Sequence, residues 1–236
     1  MPLLVDPTAP RKKYALLKWV RRWNDAHPKD KIEVPATFKP GTEVVGNPAR
    51  ELLKEMQRRA KLPVSGNFNK ATMAILLPIG VRGRVMATAH GELGVHEWPP
   101  GSNRGEVLKY LKAAGIGYGA PWCVSFVYWV LLHSGFERRQ LPSGPASTPN
   151  WYTHAKKHGC LKPVKDSKLG DIWLWEWGNS DGMLDHGGFC DDTNPSDRIA
   201  YYLDGNVGAY GGSVTHGARS AQNIAACIDV VKLSRV

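Results

Sequence analysis

No run of about twenty apolar residues occurs in this chain, so the sequence offers no membrane-spanning helix. The most apolar stretch, residues 123–132, stops at His133. The N-terminus has only a short apolar patch, Leu3, Leu4 and Val5, with no basic residue ahead of it and Asp6 and Pro7 behind it. That does not read as a secretory signal. Cysteine is scarce: Cys123, Cys160, Cys190 and Cys227 are widely spaced and form no CxxC. A disulfide scaffold and a zinc knuckle are both disfavoured, and the thiols are expected to be reduced. No HExxH is present, and His90 and His96 lack an evident third ligand, which argues against a zinc hydrolase. There is no convincing internal repeat. Hydrophobic residues make up 42% of the 236 positions, enough for a folded core, so nothing suggests a fibrous or broadly disordered chain.

Basic residues are concentrated in one region, while acidic ones are spread evenly. Residues 1–83 hold 16 Lys+Arg against 7 Asp+Glu, a balance of +9, whereas the remainder holds 15 against 14, a balance of +1. Nearly all of the formal +10 therefore belongs to the first third. Such an asymmetry is the electrostatic footprint expected for a polyanion, with nucleic acid, anionic lipid and anionic cell wall as the candidates. A domain of residues 1–80 and a second of residues 84–236 are expected, with a hinge at about 78–84, where Pro78 and Gly80 stand.

In the first part, residues 14–23 read as a short helix. Pro28, Pro35, Pro40, Gly41, Gly46 and Pro48 make the following stretch mainly loop. A helix is expected after Asn47, with Ala49, Leu52, Leu53, Met56 and Ala60 as its apolar stripe, and another over residues 70–77. Beyond the hinge, helices are expected at 85–93, at 106–114 and from Pro121 or Trp122 to about Ser134. From Gly170 the pattern changes to short apolar runs split by turns. Residues 171–177, 186–190, 199–203 and 225–233 read as strands. Helices first and strands second predict an α+β domain.

Cys123 stands at the start of a predicted helix, after Gly115, Gly117, Gly119 and Pro121. Unpaired N–H groups and the helix dipole favour a thiolate there. Phe126, Val127, Val130 and Leu131 continue a stripe that should pack on the strands. A reactive thiolate needs a base. His27, His90, His96, His133, His154, His158 and His216 lie on predicted helices or in loops without an evident orienter. His186 opens a strand with small residues beside it, Gly187 and Gly188. The next strand ends in Asp204-Gly205-Asn206, and hairpin geometry would bring Asp204 or Asn206 to the imidazole. Cys190, four residues after His186, shares its strand face and would line the site passively.

These stretches resemble the CHAP family, the cysteine, histidine-dependent amidohydrolases/peptidases of the NlpC/P60-like, papain-like group. The resembling segments are Gly94-Val95-His96-Glu97 with Gly101-Ser102-Asn103-Arg104-Gly105, then Gly119-Ala120-Pro121-Trp122-Cys123-Val124-Ser125-Phe126-Val127. Gly170-Asp171-Ile172, His186-Gly187-Gly188-Phe189 and Asp204-Gly205-Asn206 follow in the family's order. The Pro-Trp-Cys block is the specific one. The resemblance implies a papain-like catalytic domain of N-terminal helices packed on an antiparallel sheet, with Cys123 as nucleophile and His186 as base. A glutamate often stands where Asp204 does, so the shorter carboxylate leaves open whether Asp204 or Asn206 is the direct partner of the histidine.

Residues 49–77 are similar to the small helical peptidoglycan-binding domain that often precedes such enzymes, notably Leu53, Met56-Gln57, residues 62–68, Thr72 and Ala74; Leu77-Pro78 replaces its usual aromatic-Gln ending. Together the resemblances imply a peptidoglycan amidase or endopeptidase of phage-endolysin type. Its expected partners are bacterial peptidoglycan and anionic wall polymers, not nucleic acid or an integral membrane. It is expected to be a monomer requiring no metal or organic cofactor. It would be made in the cytoplasm and reach the wall through a membrane lesion. The alternatives are a bacterial or virion-associated wall-remodelling hydrolase and a non-catalytic wall-binding protein.

Overall fold

A computed structural model describes residues 20, 23–24, 27–33, 47–65, 80–177, 184–191, 199–208 and 212–236. The chain divides into two compact units, Met1–Gly83 and Arg84–Val236. Among the described residues no helix is long and apolar enough to cross a membrane. The helix predicted over residues 70–77 and most of that over 14–23 lie outside the described residues, as do Trp19 and Phe68.

In the first unit, helix α1 (Asn47–Arg59) buries Leu53 and Met56 completely. Lys54 pairs with Glu51 at 2.7 Å, and Arg59 pairs with Glu55 at 2.9 Å and with Asp30 at 2.8 Å. Arg58 is likewise engaged by Glu55. Trp23 is buried, donates its indole N–H to the Asp30 carbonyl at 2.7 Å and stacks on His27. It is a core residue of this unit.

Helix α2 (Val81–Gly91) begins four residues earlier than expected and occupies the latter half of the predicted hinge. Gly80, at φ +104°, supplies the break immediately before it. Val85, Met86 and Ala89 are fully buried and anchor the helix. Helix α3 (Leu108–Ala113) is shorter than the predicted 106–114, and α4 (Cys123–His133) starts one residue after the later of the two expected openings, with Trp122 as its N-cap. Its burial is broader than a stripe: Val124, Ser125 and Tyr128 are covered as well as Phe126, Val127, Val130 and Leu131. Tyr110 of α3 explains part of this, since its ring stacks on Trp122 at 5.3 Å and meets Phe126 edge-on at 5.2 Å. Burying each such ring or aliphatic chain contributes about 1.5–3 kcal/mol. Helix α5 (Thr148–Lys157) was not anticipated.

Among the described residues the sheet is six-stranded and antiparallel throughout: β1 (Leu161–Lys162), β2 (Ile172–Trp175), β3 (His186–Cys190), β4 (Ile199–Val207), β5 (Ser213–Ser220) and β6 (Ile224–Ile228), in the order β1-β6-β2-β3-β4-β5. The architecture is thus α+β. Two corrections concern the sheet. The run 225–233 is not one strand, because Asp229 ends β6 and caps a short helix α6 (Val230–Leu233), its carboxylate accepting from the Val231 N–H at 2.9 Å. Strand β4 extends to Val207, and β5 pairs with it although β5 is largely polar.

One face of the sheet receives α4. Phe126 meets Phe189 edge-on at 6.1 Å. Gly187 and Gly205 let the first turn of the helix come close: a Cβ on Gly187 would lie 2.5 Å from Val124, and one on Gly205 would lie 2.6 Å from Trp122 and 2.8 Å from Phe126. The start of α4 is therefore seated directly on the ends of β3 and β4.

Candidate active site

The first turn of α4 presents Cys123, which is only 5% exposed. Its position is held from the preceding loop. Trp122 donates its indole N–H to Glu97 Oε1 at 2.8 Å, and Glu97 Oε2 accepts from the Asn103 N–H at 3.1 Å. Glu97 is itself buried, and its N–H donates to the Gly212 carbonyl at 3.0 Å. The loop around residues 94–105 therefore clamps the residue before the cysteine.

His186 is the first residue of β3, buried and hydrogen-bonded to the thiol of Cys123. Its Nε2 lies 3.0 Å from Oδ2 of Asp204. A carboxylate can only accept, so Nε2 carries the proton and Nδ1 is the nitrogen left for the thiol. Asp204 reaches the ring because Gly188, two residues along the same strand face, has no side chain; a Cβ there would collide with the Asp204 carboxylate. Trp177 lies over the imidazole, with ring centroids 5.0 Å apart and planes 23° from parallel. Its N–H donates to Asp185 Oδ2 at 2.6 Å.

The electrostatics favour an ion pair. Burial pushes the Cys123 thiol up. The hydrogen bond and charge of His186, with the N–H groups of Gly187 and Val124, outweigh it and hold the thiol below its ordinary value. For His186, burial opposes the charged form, but the hydrogen bonds to Asp204 and then Cys123 prevail and raise it to about 9. A thiolate facing an imidazolium is a nucleophile paired with its own general acid.

Cys123, His186 and Asp204 are thus brought together. Asn206 is not part of that contact. It has φ +60° at the irregularity where β4 pairing with β5 shifts between Asp204 and Val207, and its Oδ1 packs beside Gly212 near Glu97. Cys190 shares the strand face of His186 but belongs to a core cluster with Trp173, Trp175 and Tyr202, so it does not line the site. All four cysteines are buried and none is in a disulfide.

Among the other histidines, His216 lies opposite Leu203 in β5 and is exposed, on the sheet face away from Asp204. His90 does have a carboxylate partner, unlike its sequence expectation: Asp191 Oδ1, which is buried, is 3.0 Å from its Nε2. Among the described residues no three His, Cys, Asp or Glu side chains converge as a metal-binding group.

Two contributors had no signal in the sequence. Arg219, on a polar strand that was not anticipated, places Nη2 3.1 Å from Asp204 Oδ2. Trp177 stands two residues past the end of β2, and its contact with His186 depends on the pairing of β2 with β3. No protein-family model, curated protein or solved structure matches the chain.

Proposed function

We propose that the chain is a cysteine-dependent peptidoglycan hydrolase with a papain-like, CHAP-type catalytic unit. The observation that carries the proposal is the hydrogen-bonded row Cys123, His186, Asp204, with the thiol at a helix N-terminus and the carboxylate 3.0 Å from the ring. Such a row suits acyl transfer. The Cys123 thiolate attacks an amide carbonyl in the stem peptide or at its junction with muramic acid, forming a C–S bond while the carbonyl π electrons move to oxygen. The backbone N–H of Cys123 stabilises that oxyanion. As the C–N bond breaks, the imidazolium gives its Nδ1 proton to the departing amine. Water then attacks the thioester, its proton returns to Nδ1, and the acid product leaves with the thiolate restored. Asp204 keeps the ring oriented throughout by accepting from Nε2.

The pH dependence follows with a definite sign. Cys123 has a depressed value, so thiolate accumulates above it and the rate climbs with pH on the acid side. His186 has a raised value, so imidazolium persists until about 9 and the rate falls as pH passes through it. Release of soluble fragments from purified walls should trace a bell with that alkaline limb, the two limbs belonging to the pair as a unit. An alkaline limb near the ordinary histidine value of 6.5 would contradict the ion-pair description.

Wall attachment is assigned to the first unit and is partly electrostatic, on the strength of its +9 balance against +1 in the remainder. Lys54, Arg58 and Arg59 of α1 are engaged by neighbouring acids, and Trp23 is core, so the attraction rests on the unit's other basic residues. Exposed charges lose their reach as the Debye length falls from ~10 Å at 0.1 M salt to ~3 Å at 1 M. Met1–Gly83 should sediment with purified walls, progressively less so as salt rises, while Arg84–Val236 should sediment poorly yet cleave soluble fragments. Equal retention of both units would remove this assignment.

A further inference from the structure

The oxygen of Asp204 that receives the His186 proton has a second suitor. Arg219 Nη2 stands 3.1 Å from Oδ2, the same atom, while Oδ1 finds no hydrogen-bond partner among the described residues. The guanidinium is fixed by aromatic faces: its carbon lies 3.6 Å from the Tyr202 ring centroid, 4.8 Å from that of Trp175 and 5.4 Å from that of Trp177. Gly217 makes room for this arrangement. It stands opposite Tyr202 in the β4–β5 pairing, and a Cβ there would lie 2.5 Å from the Tyr202 hydroxyl. Such a box holds a cation without supplying a competing anion. Asp204 is fully buried, so its charge must be met locally.

We propose that Arg219 is a positioning residue: by sharing Asp204 Oδ2 with His186 from its aromatic box, it fixes the carboxylate and limits how tightly that carboxylate holds the imidazolium. The inference rests on the hydrolase reading for its catalytic consequence but not for its electrostatic one. An aspartate serving the histidine alone would hold its proton too firmly, and an imidazolium so held is a poor acid for the leaving amine. The groups facing this row are Cys123 from α4, His186 from β3, Asp204 from β4 and Arg219 from β5. Asp185 is engaged by the Trp177 N–H, and Glu97 by Trp122 and Asn103.

The test is a titration of the His186 ring nitrogens by NMR in the full chain, for wild type, Arg219→Met and Arg219→Lys, beside kcat and KM on soluble wall fragments. Without the cation, the His186 titration should move upward by about one unit or more, since a neighbouring charge in a partly buried site is worth that much. In Arg219→Met, kcat should fall about tenfold or more with KM little changed, the signature of an interaction used after binding. Arg219→Lys should restore the wild-type titration to within a few tenths of a unit, because it keeps the charge in the box. A His186 titration that is unmoved or lowered in Arg219→Met would overturn the proposal. If that variant does not fold, an Arg219→Lys protein whose titration departs from wild type by a full unit overturns it equally. Failure of the wild type to cleave walls would remove the hydrolase reading and leave the titration result standing.

Discussion

Replacing Cys123 with alanine should abolish amide cleavage, lowering the rate by ~10³-fold or more, while the folded structure and wall sedimentation persist. No other cysteine is placed to serve as the nucleophile: Cys190 and Cys227 lie in a core cluster, and Cys160 is buried. The cost to stability should be small, on the order of 1 kcal/mol, because one buried sulfur is lost from a helix whose other contacts remain. Cys123→Ser is the more searching variant. It keeps the volume and the hydrogen bond to His186, yet a hydroxyl does not ionise in the field that holds the thiol down, so it too should be inactive. Fragment release from purified walls, read beside a thermal melt, checks both. A folded Cys123→Ala protein with near-normal turnover would end the mechanism.

His186→Ala should reduce turnover by ~10³-fold or more, the scale seen when a member of a catalytic triad is lost. Two functions disappear with the ring. The thiol loses its largest stabilising partner and becomes harder to ionise, and the leaving amine loses its proton donor. Alkylation of Cys123 at neutral pH, followed by peptide mass spectrometry, should therefore slow in His186→Ala together with hydrolysis. Asp204→Ala should be costly too, because Nε2 loses its acceptor. Asn206→Ala should be far milder, since Asn206 packs beside Gly212 and not against the ring. A harmless His186→Ala with an inactivating His216→Ala would move the base to the opposite face of the sheet, against the observed register.

Much of this site could be read in the residues because its parts are local. A cysteine after a Gly-rich, Pro-Trp approach marks a helix start, and a histidine before two glycines marks a strand with open space beside it. The choice between Asp204 and Asn206 was not local. It turns on the register of β3 against β4, on the gap at Gly188 and on the left-handed backbone of Asn206, none of which a pattern of polar and apolar residues encodes. Strand β5 escaped for a related reason. Residues 213–220 form an edge strand with exposed positions, so burial leaves almost no apolar alternation, and Arg219 was hidden with it. Helix α5 carried a readable signal, Ser147 before Thr148-Pro149, with Pro149 in the first turn where its missing N–H does no harm. The run 225–233 misled because Asp229, which caps α6, and Lys232 are the two polar residues in an otherwise strand-like stretch.

The most direct measurement is mass spectrometry of purified peptidoglycan after digestion by the full chain and by Cys123→Ala. Cys123-dependent acyl transfer requires new amine and carboxyl termini at one type of amide bond, present with the wild type and missing with the variant. The identity of those termini distinguishes the muramoyl–alanine amide from a bond within the stem or cross-bridge. Termini produced equally by both proteins, or cleavage confined to the glycan strands, would contradict the account.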